Sequence, residues 1–154
     1  MNFLEKVIKK FRYRIDTKLA KREFKKITGY EPNQKQLDFY MGKAFGYIFD
    51  RREGKTIAII AKALKEASKG ETIFIVCSHQ RQCKDTVNIL NNLSLPKRFK
   101  PKKGFLQIIT EEQLNRKRFQ TGSYIYDLIE NKTSSGEFKY VERRTAYTRA
   151  KGRR

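Results

Sequence analysis

Tyr47-Ile48-Phe49-Asp50-Arg51-Arg52-Glu53-Gly54-Lys55-Thr56-Ile57 is the stretch on which the reading of this chain turns. A short apolar run enters a polar turn, and Gly-Lys-Thr then opens a helical pattern that continues to Ser68. A phosphate-binding loop needs this order. A strand ends, backbone N–H groups turn around an anion, a lysine reaches the outer phosphates and a hydroxyl faces a magnesium ion. Gly54, Lys55 and Thr56 supply those parts. The full G-x-x-x-x-G-K-[ST] pattern wants a glycine where Phe49 stands, so the motif alone leaves an ordinary Gly-Lys turn open.

Composition narrows the class. A chain of 154 residues fits one domain able to bury roughly 68–70% of its unfolded surface. With 38% hydrophobic residues it is polar but not disordered by composition. Lys and Arg number 36 against 16 Asp and Glu, a formal net charge of +20. Such an excess calls for an anionic partner, nucleic acid first and an acidic membrane surface second. Cys77 falls on an expected buried strand and Cys83 on the helix after it, which suits packed, reduced thiols rather than a disulfide framework. His79 is read as a loop or cap residue, because it lacks partners for a metal site. No apolar run reaches the roughly 20 residues that span a bilayer, and Met1 to Lys10 lacks a signal-peptide core. The expected compartment is the cytoplasm, the host's if the chain is viral.

Upstream of the loop, apolar residues recur three or four apart from Phe3 to Ile27 among ten basic and three acidic side chains. They predict an amphipathic helix, ended by Thr28-Gly29-Tyr30. Asn33 is the expected cap of a second helix with Leu37, Tyr40, Met41 and Ala44 on one face. Tyr47 to Phe49 reads as a short buried strand. Downstream, Thr72 to Ser78 is a continuous apolar run of the kind a parallel sheet buries on both faces, and a helix follows from Gln80 to Leu93. Alternation of strand and helix implies right-handed crossovers and a parallel sheet.

Five cations in the seven residues from Lys97 to Lys103 make a loop that is either solvated or turned to phosphate. Phe105 to Ile109 is a third strand, and Thr110-Glu-Glu-Gln113 has capping-box spacing. Tyr124 to Ile129 is an apolar run carrying Asp127. An edge strand around Phe138 and Tyr140 and a mobile basic tail, Arg143 to Arg154, complete the expectation. Three segments result: a basic amphipathic helix over 1–29, a core over 30–131, and an edge strand and tail over 132–154.

From Tyr30 to Asn131 this order resembles the nucleotide-binding core of additional-strand P-loop ATPases. More narrowly, Phe49-Asp-Arg-Arg-Glu-Gly-Lys-Thr56 resembles the deviant Walker A of phage large terminase subunits, which drops the first glycine and carries an arginine three residues before Gly54, here Arg51. The resemblance implies an α/β fold, a P-loop NTPase-like, mostly parallel sheet flanked by helices. It implies ATP and Mg2+ as cofactors. Lys55 and the loop from Arg52 through Glu53 and Gly54 would hold the phosphates, Arg51 or Arg52 the γ phosphate, and Thr56 the metal. Glu31-Pro-Asn-Gln34 is similar to the glutamine element that reads adenine, with Gln34 preferred over Gln36. Phe74 to Gln82 looks like the strand and turn that approach nucleic acid, with Ser78, Gln80 and Arg81 at the sheet's C-terminal edge.

The metal-binding carboxylate is expected at Asp127, with Leu128 where a catalytic glutamate normally follows. Glu130 is the substitute, either from a loop or as the metal ligand itself with Asn131 beside it. A nuclease domain has no room, so the chain reads as a truncated or reduced module whose hydrolysis is impaired. DNA is the expected partner, a second copy or another chain could complete the site, and a membrane is the weakest candidate. The rival readings are a small basic nucleic-acid-binding protein on a degenerate P-loop fold without turnover, and a helicase-like ATPase fragment.

Overall fold

The computed structural model describes residues 2–43, 46–49, 54–116, 122–134 and 138–149, with backbone alone for 46–49, 128–134 and 138–149. It is an α/β fold whose parallel strands are flanked by helices. The order is α1 (Phe3–Thr28), α2 (Gln34–Met41), β1 (Gly46–Phe49), α3 (Lys55–Ser68), β2 (Ile73–Cys77), α4 (Gln80–Asn91), a 3-10 turn (Lys97–Phe99), β3 (Leu106–Thr110), α5 (Glu111–Arg116), β4 (Ser123–Ser134) and β5 (Phe138–Arg149).

Local chemistry sets most of these boundaries. Asn33 caps α2 with its side chain, and Gln36 reaches back to the Asn33 backbone, a complete capping box. Gly29 ends α1 in the left-handed region. His79 caps α4 by accepting from the Gln82 N–H at 3.2 Å. Thr110 and Gln113 exchange the two bonds of the box that opens α5.

The sheet is organised around β2, which is buried along its whole length. Ile73, Ile75 and Cys77 face a large core built with Phe24, Tyr40, Ile59, Leu64 and Ile125. Phe74 and Val76 face a smaller cluster with Ile109 and Tyr124, against which Leu114 of α5 packs. This alternation is why the run is continuously apolar. β3 and β4 flank β2 in parallel, so that Cys77 lies level with Thr110 on one side and Asp127 on the other.

Beyond β4 the sheet departs from the expected parallel pattern. The order is β1-β5-β4-β2-β3, and β5 runs antiparallel to both of its neighbours. Arg143 to Arg149, expected in a mobile tail, belongs to β5, and Arg143 to Ala146 sits between β1 and β4. β1 therefore joins the sheet through an antiparallel contact. From Leu128 to Ser134, β4 pairs with β5 as a ribbon that continues past the ends of β2 and β3. Residues 150–154 of the expected tail lie outside the described residues.

The first helix forms over the expected span, but its apolar residues do not pack as a stripe against the domain. Phe24, Ile27 and Thr28 are buried, whereas Leu4, Ile8, Phe11, Ile15 and Leu19 are exposed. Its root is held by a polar web. Tyr40 donates its hydroxyl to Glu23 and meets the Phe24 ring edge-on at 5.7 Å, and Arg98 pairs with Glu23 at 3.5 Å. Lys62 and Lys65 each donate to the Tyr40 carbonyl at 3.2 Å. Burial opposes ionisation of Glu66, but the ammonium groups of Lys62, at 3.2 Å, and Lys69 outweigh it and hold the carboxyl below its usual range.

Both cysteines are free and buried. Burial first, then Cys83 and the Asp127 carboxylate, push the Cys77 thiol from the usual 9.0 up to about 12, and burial raises Cys83 as well. A thiol whose folded value is raised supports the fold below its unfolded value and loses that contribution as pH climbs towards the folded one. At about pH 8, Ellman's reagent should therefore label neither cysteine of the native chain and both in denaturant. Rapid labelling of the native chain would contradict this burial.

Candidate functional site

Two residues far apart in sequence meet at the C-terminal edge of the parallel strands. Lys55, the first residue of α3, and Asp127 on β4 form an ion pair at 2.5 Å with side chains 3% and 1% exposed. Strand alternation explains the meeting. Ile125 packs in the core beneath α3, and Asp127, two residues on, points from the same face towards the start of that helix. The contact lies outside hydrogen-bonding angles, and neither Asp127 oxygen accepts a hydrogen bond among the described residues. A buried carboxylate with open lone pairs, beside a helix N-terminus and an ammonium, has capacity to hold the water shell of a divalent cation.

Gly54 makes the turn into α3. Its φ is 72°, a left-handed conformation that costs a side-chain-bearing residue about 1–2 kcal/mol. A Cβ there would also lie 2.2 Å from Nε2 of Gln36. That amide donates to the Gly54 carbonyl at 3.0 Å, while the Gln36 Oε1 accepts from the Asn33 N–H at 3.0 Å. Gln36 thus fastens the start of α2 to the start of α3. Thr56, half-buried, follows Lys55 in the first turn. Among the described residues no side chain caps the α3 N-terminus, the end of a helix that favours anions.

The expected site is assembled in part. Lys55 and Asp127 come together, with Gly54 and Thr56 on either side of Lys55 in the chain. Gln34 does not join them: it is exposed and its amide donates to Asp38 at 2.8 Å. The glutamine at the loop is Gln36, because the Asn33 cap turns the third helical position back and leaves the first facing water. Arg51, Arg52 and Glu53 lie outside the described residues. Glu130 stands within β4, in register with Glu142 of β5, rather than on a loop.

At the turn after β2, Ser78 donates its N–H to Gln82 Oε1 at 2.9 Å, and Gln82 Nε2 donates to the Asp127 carbonyl at 2.9 Å. Gln82 therefore ties the turn after β2 to the backbone of β4 at Asp127, beside the carboxylate. The Asn-x-x-Gln spacing does signal the position of Gln36, while nothing local signals Gln82, whose partner is 45 residues away.

The chain matches no known protein family, no curated protein and no solved structure. Among the described residues, no group of three or more His, Cys, Asp or Glu is placed to hold a metal ion.

Removing one member of a buried ion pair strands the other charge, at a typical cost of about 3–5 kcal/mol, whereas an apolar replacement of both is often neutral. Asp127→Asn and Lys55→Met should each lower the urea midpoint markedly, and Lys55→Met with Asp127→Leu should recover most of the loss. Additive losses in that cycle would show that the two side chains do not interact.

Proposed function

We propose that this chain is an ATP-binding module of P-loop type, related to the ATPase of viral DNA packaging and acting on DNA, with hydrolysis impaired. The observation that carries the reading is the buried pair of Lys55 and Asp127, formed between the residue after the left-handed Gly54 and a carboxylate where the parallel pairing of β4 with β2 stops. In a P-loop site these are the lysine for the β and γ phosphates and the aspartate for magnesium. An ion pair is a sound resting arrangement for such groups, since each compensates the other's charge in a dry site.

Lys55 would hold phosphate oxygens together with the first N–H groups of α3, and Thr56 with Asp127 would hold the metal. Magnesium supplies charge neutralisation at the phosphates when bound. Gln36 keeps the loop's exit in place through the Gly54 carbonyl. Arg51 and Arg52 remain the candidates for the γ phosphate, on the sequence pattern alone. A base for the attacking water is what the reading lacks: Leu128 follows Asp127, and Glu130 is paired into β4 by its backbone. Binding without efficient turnover is therefore the expected behaviour.

The DNA component rests on the net charge of +20. It is supported by the ribbon of β4 and β5, whose backbone runs past the parallel strands and whose two-stranded part carries Lys132 and Lys139 in its sequence. A two-stranded ribbon is among the shapes that enter a major groove. The rival reading, a basic DNA-binding protein that has lost nucleotide chemistry, shares every one of these features except the need for Lys55 to face phosphate.

Equilibrium titration with fluorescent ATP in the presence of magnesium separates the two. Binding is expected for the parent chain, with a loss of at least tenfold in Lys55→Ala; equal affinity in that variant would end the nucleotide reading. ATP turnover with and without DNA should be slow. Binding to duplex DNA should weaken by about 10³ to 10⁵ between 50 and 200 mM salt if six to ten phosphates are contacted, and a shallow salt dependence would remove DNA as a partner.

A further inference from the structure

The first helix carries two apolar faces, and only one of them is used. On a wheel of about 100° per residue, Ala20, Phe24 and Ile27 point to the domain, as does Tyr13, whose hydroxyl accepts from Lys43. Leu4, Val7, Ile8, Phe11, Ile15 and Leu19 form a second stripe, turned roughly half a revolution away. Those six side chains are between 43% and 66% exposed. The stripe is therefore not an unfinished part of the core. It faces outward along a helix roughly 39 Å long that supplies its own start, through the Asn2–Glu5 capping box.

Its surroundings define what it fits. Arg12 lies along one flank and Lys10 and Lys21 along the other, with Arg14 and Lys18 on the stripe itself. Glu5 and Asp16 sit just beyond Arg12, and Glu23 is engaged by Tyr40 and Arg98. A second copy of the helix would set ten cations against three acids. Nucleic acid would answer the cations but leave the Leu, Ile, Val and Phe side chains in water. An anionic lipid surface answers both, because aliphatic and aromatic groups enter the acyl boundary while lysine and arginine stems reach up to the phosphates. No described helix is long and apolar enough to cross a membrane, which leaves lying in the surface plane as the geometry for this one.

We propose that α1 is an in-plane membrane anchor that lays the Leu4–Leu19 stripe on anionic lipid. The chain has no Trp, so Phe11→Trp introduces a single reporter on the stripe. Its emission should shift to the blue with vesicles of one part phosphatidylglycerol to two parts phosphatidylcholine, and stay unchanged with phosphatidylcholine alone or with duplex DNA. In flotation the full chain should rise with the anionic vesicles. Ile8→Gln with Phe11→Gln, which preserves the charge, should lower that binding about tenfold while far-UV circular dichroism keeps the parent helix content. Absence of flotation would overturn the proposal. So would equal flotation of the glutamine variant, which would leave charge alone as the attraction. A dimer by light scattering that the glutamine variant abolishes, without flotation, would assign the stripe to a second copy instead. A blue shift with DNA but not with vesicles would assign it to nucleic acid.

Discussion

Everything near the C-terminal edge of the sheet is arranged around one buried ion pair. Lys55 and Asp127 come from opposite ends of the parallel unit, and neither is exposed enough for water to stabilise its charge. Each offsets part of the other's cost of burial. This constraint fixes the start of α3 relative to β4, and the neighbouring contacts follow from it. Gly54 turns left-handed so that α3 can begin at Lys55, Gln36 secures the carbonyl of that turn, and Gln82 secures the backbone of Asp127. A pair held this firmly gives the fold a reason to keep both residues whether or not phosphate is turned over.

The elements governed by local chemistry were legible in the sequence. The helix from Lys55 to Ser68 has the expected bounds, β2 falls inside its apolar run, and the caps at Asn33, His79 and Thr110 form as their spacing suggests. What could not be read depends on contacts between distant segments. The basic run at Arg143 looks like a solvated tail because strand pairing uses backbone groups, which carry no sequence signature. The apolar periodicity of α1 announces an amphipathic helix but not which side of it meets the domain. Only the packing of Phe24 and Ile27 against α2 and α3 decides that, and it turns the longer stripe outward.

For the candidate site the division is similar. The Gly-Lys-Thr order coincides with the start of α3, and the apolar run before Asp127 coincides with the part of β4 that pairs in parallel with β2. Motif likeness favours Gln34 of two glutamines two residues apart, and the capping geometry of α2 brings Gln36 to the Gly54 carbonyl. Glu130 looked available from a loop because the apolar run stops at Ile129. In the sheet, pairing with β5 carries β4 on to Ser134.

One feature of α2 reaches beyond packing. Its first turn is bonded to the Gly54 carbonyl through Gln36, and its last offers the Tyr40 carbonyl to Lys62 and Lys65, while the Tyr40 ring and hydroxyl engage Phe24 and Glu23 at the root of α1. Held at both ends, the eight-residue helix is a strut of about 12 Å. It sets the standoff between the loop and the base of the long helix, so that any surface on which α1 rests lies at a fixed height from Gly54.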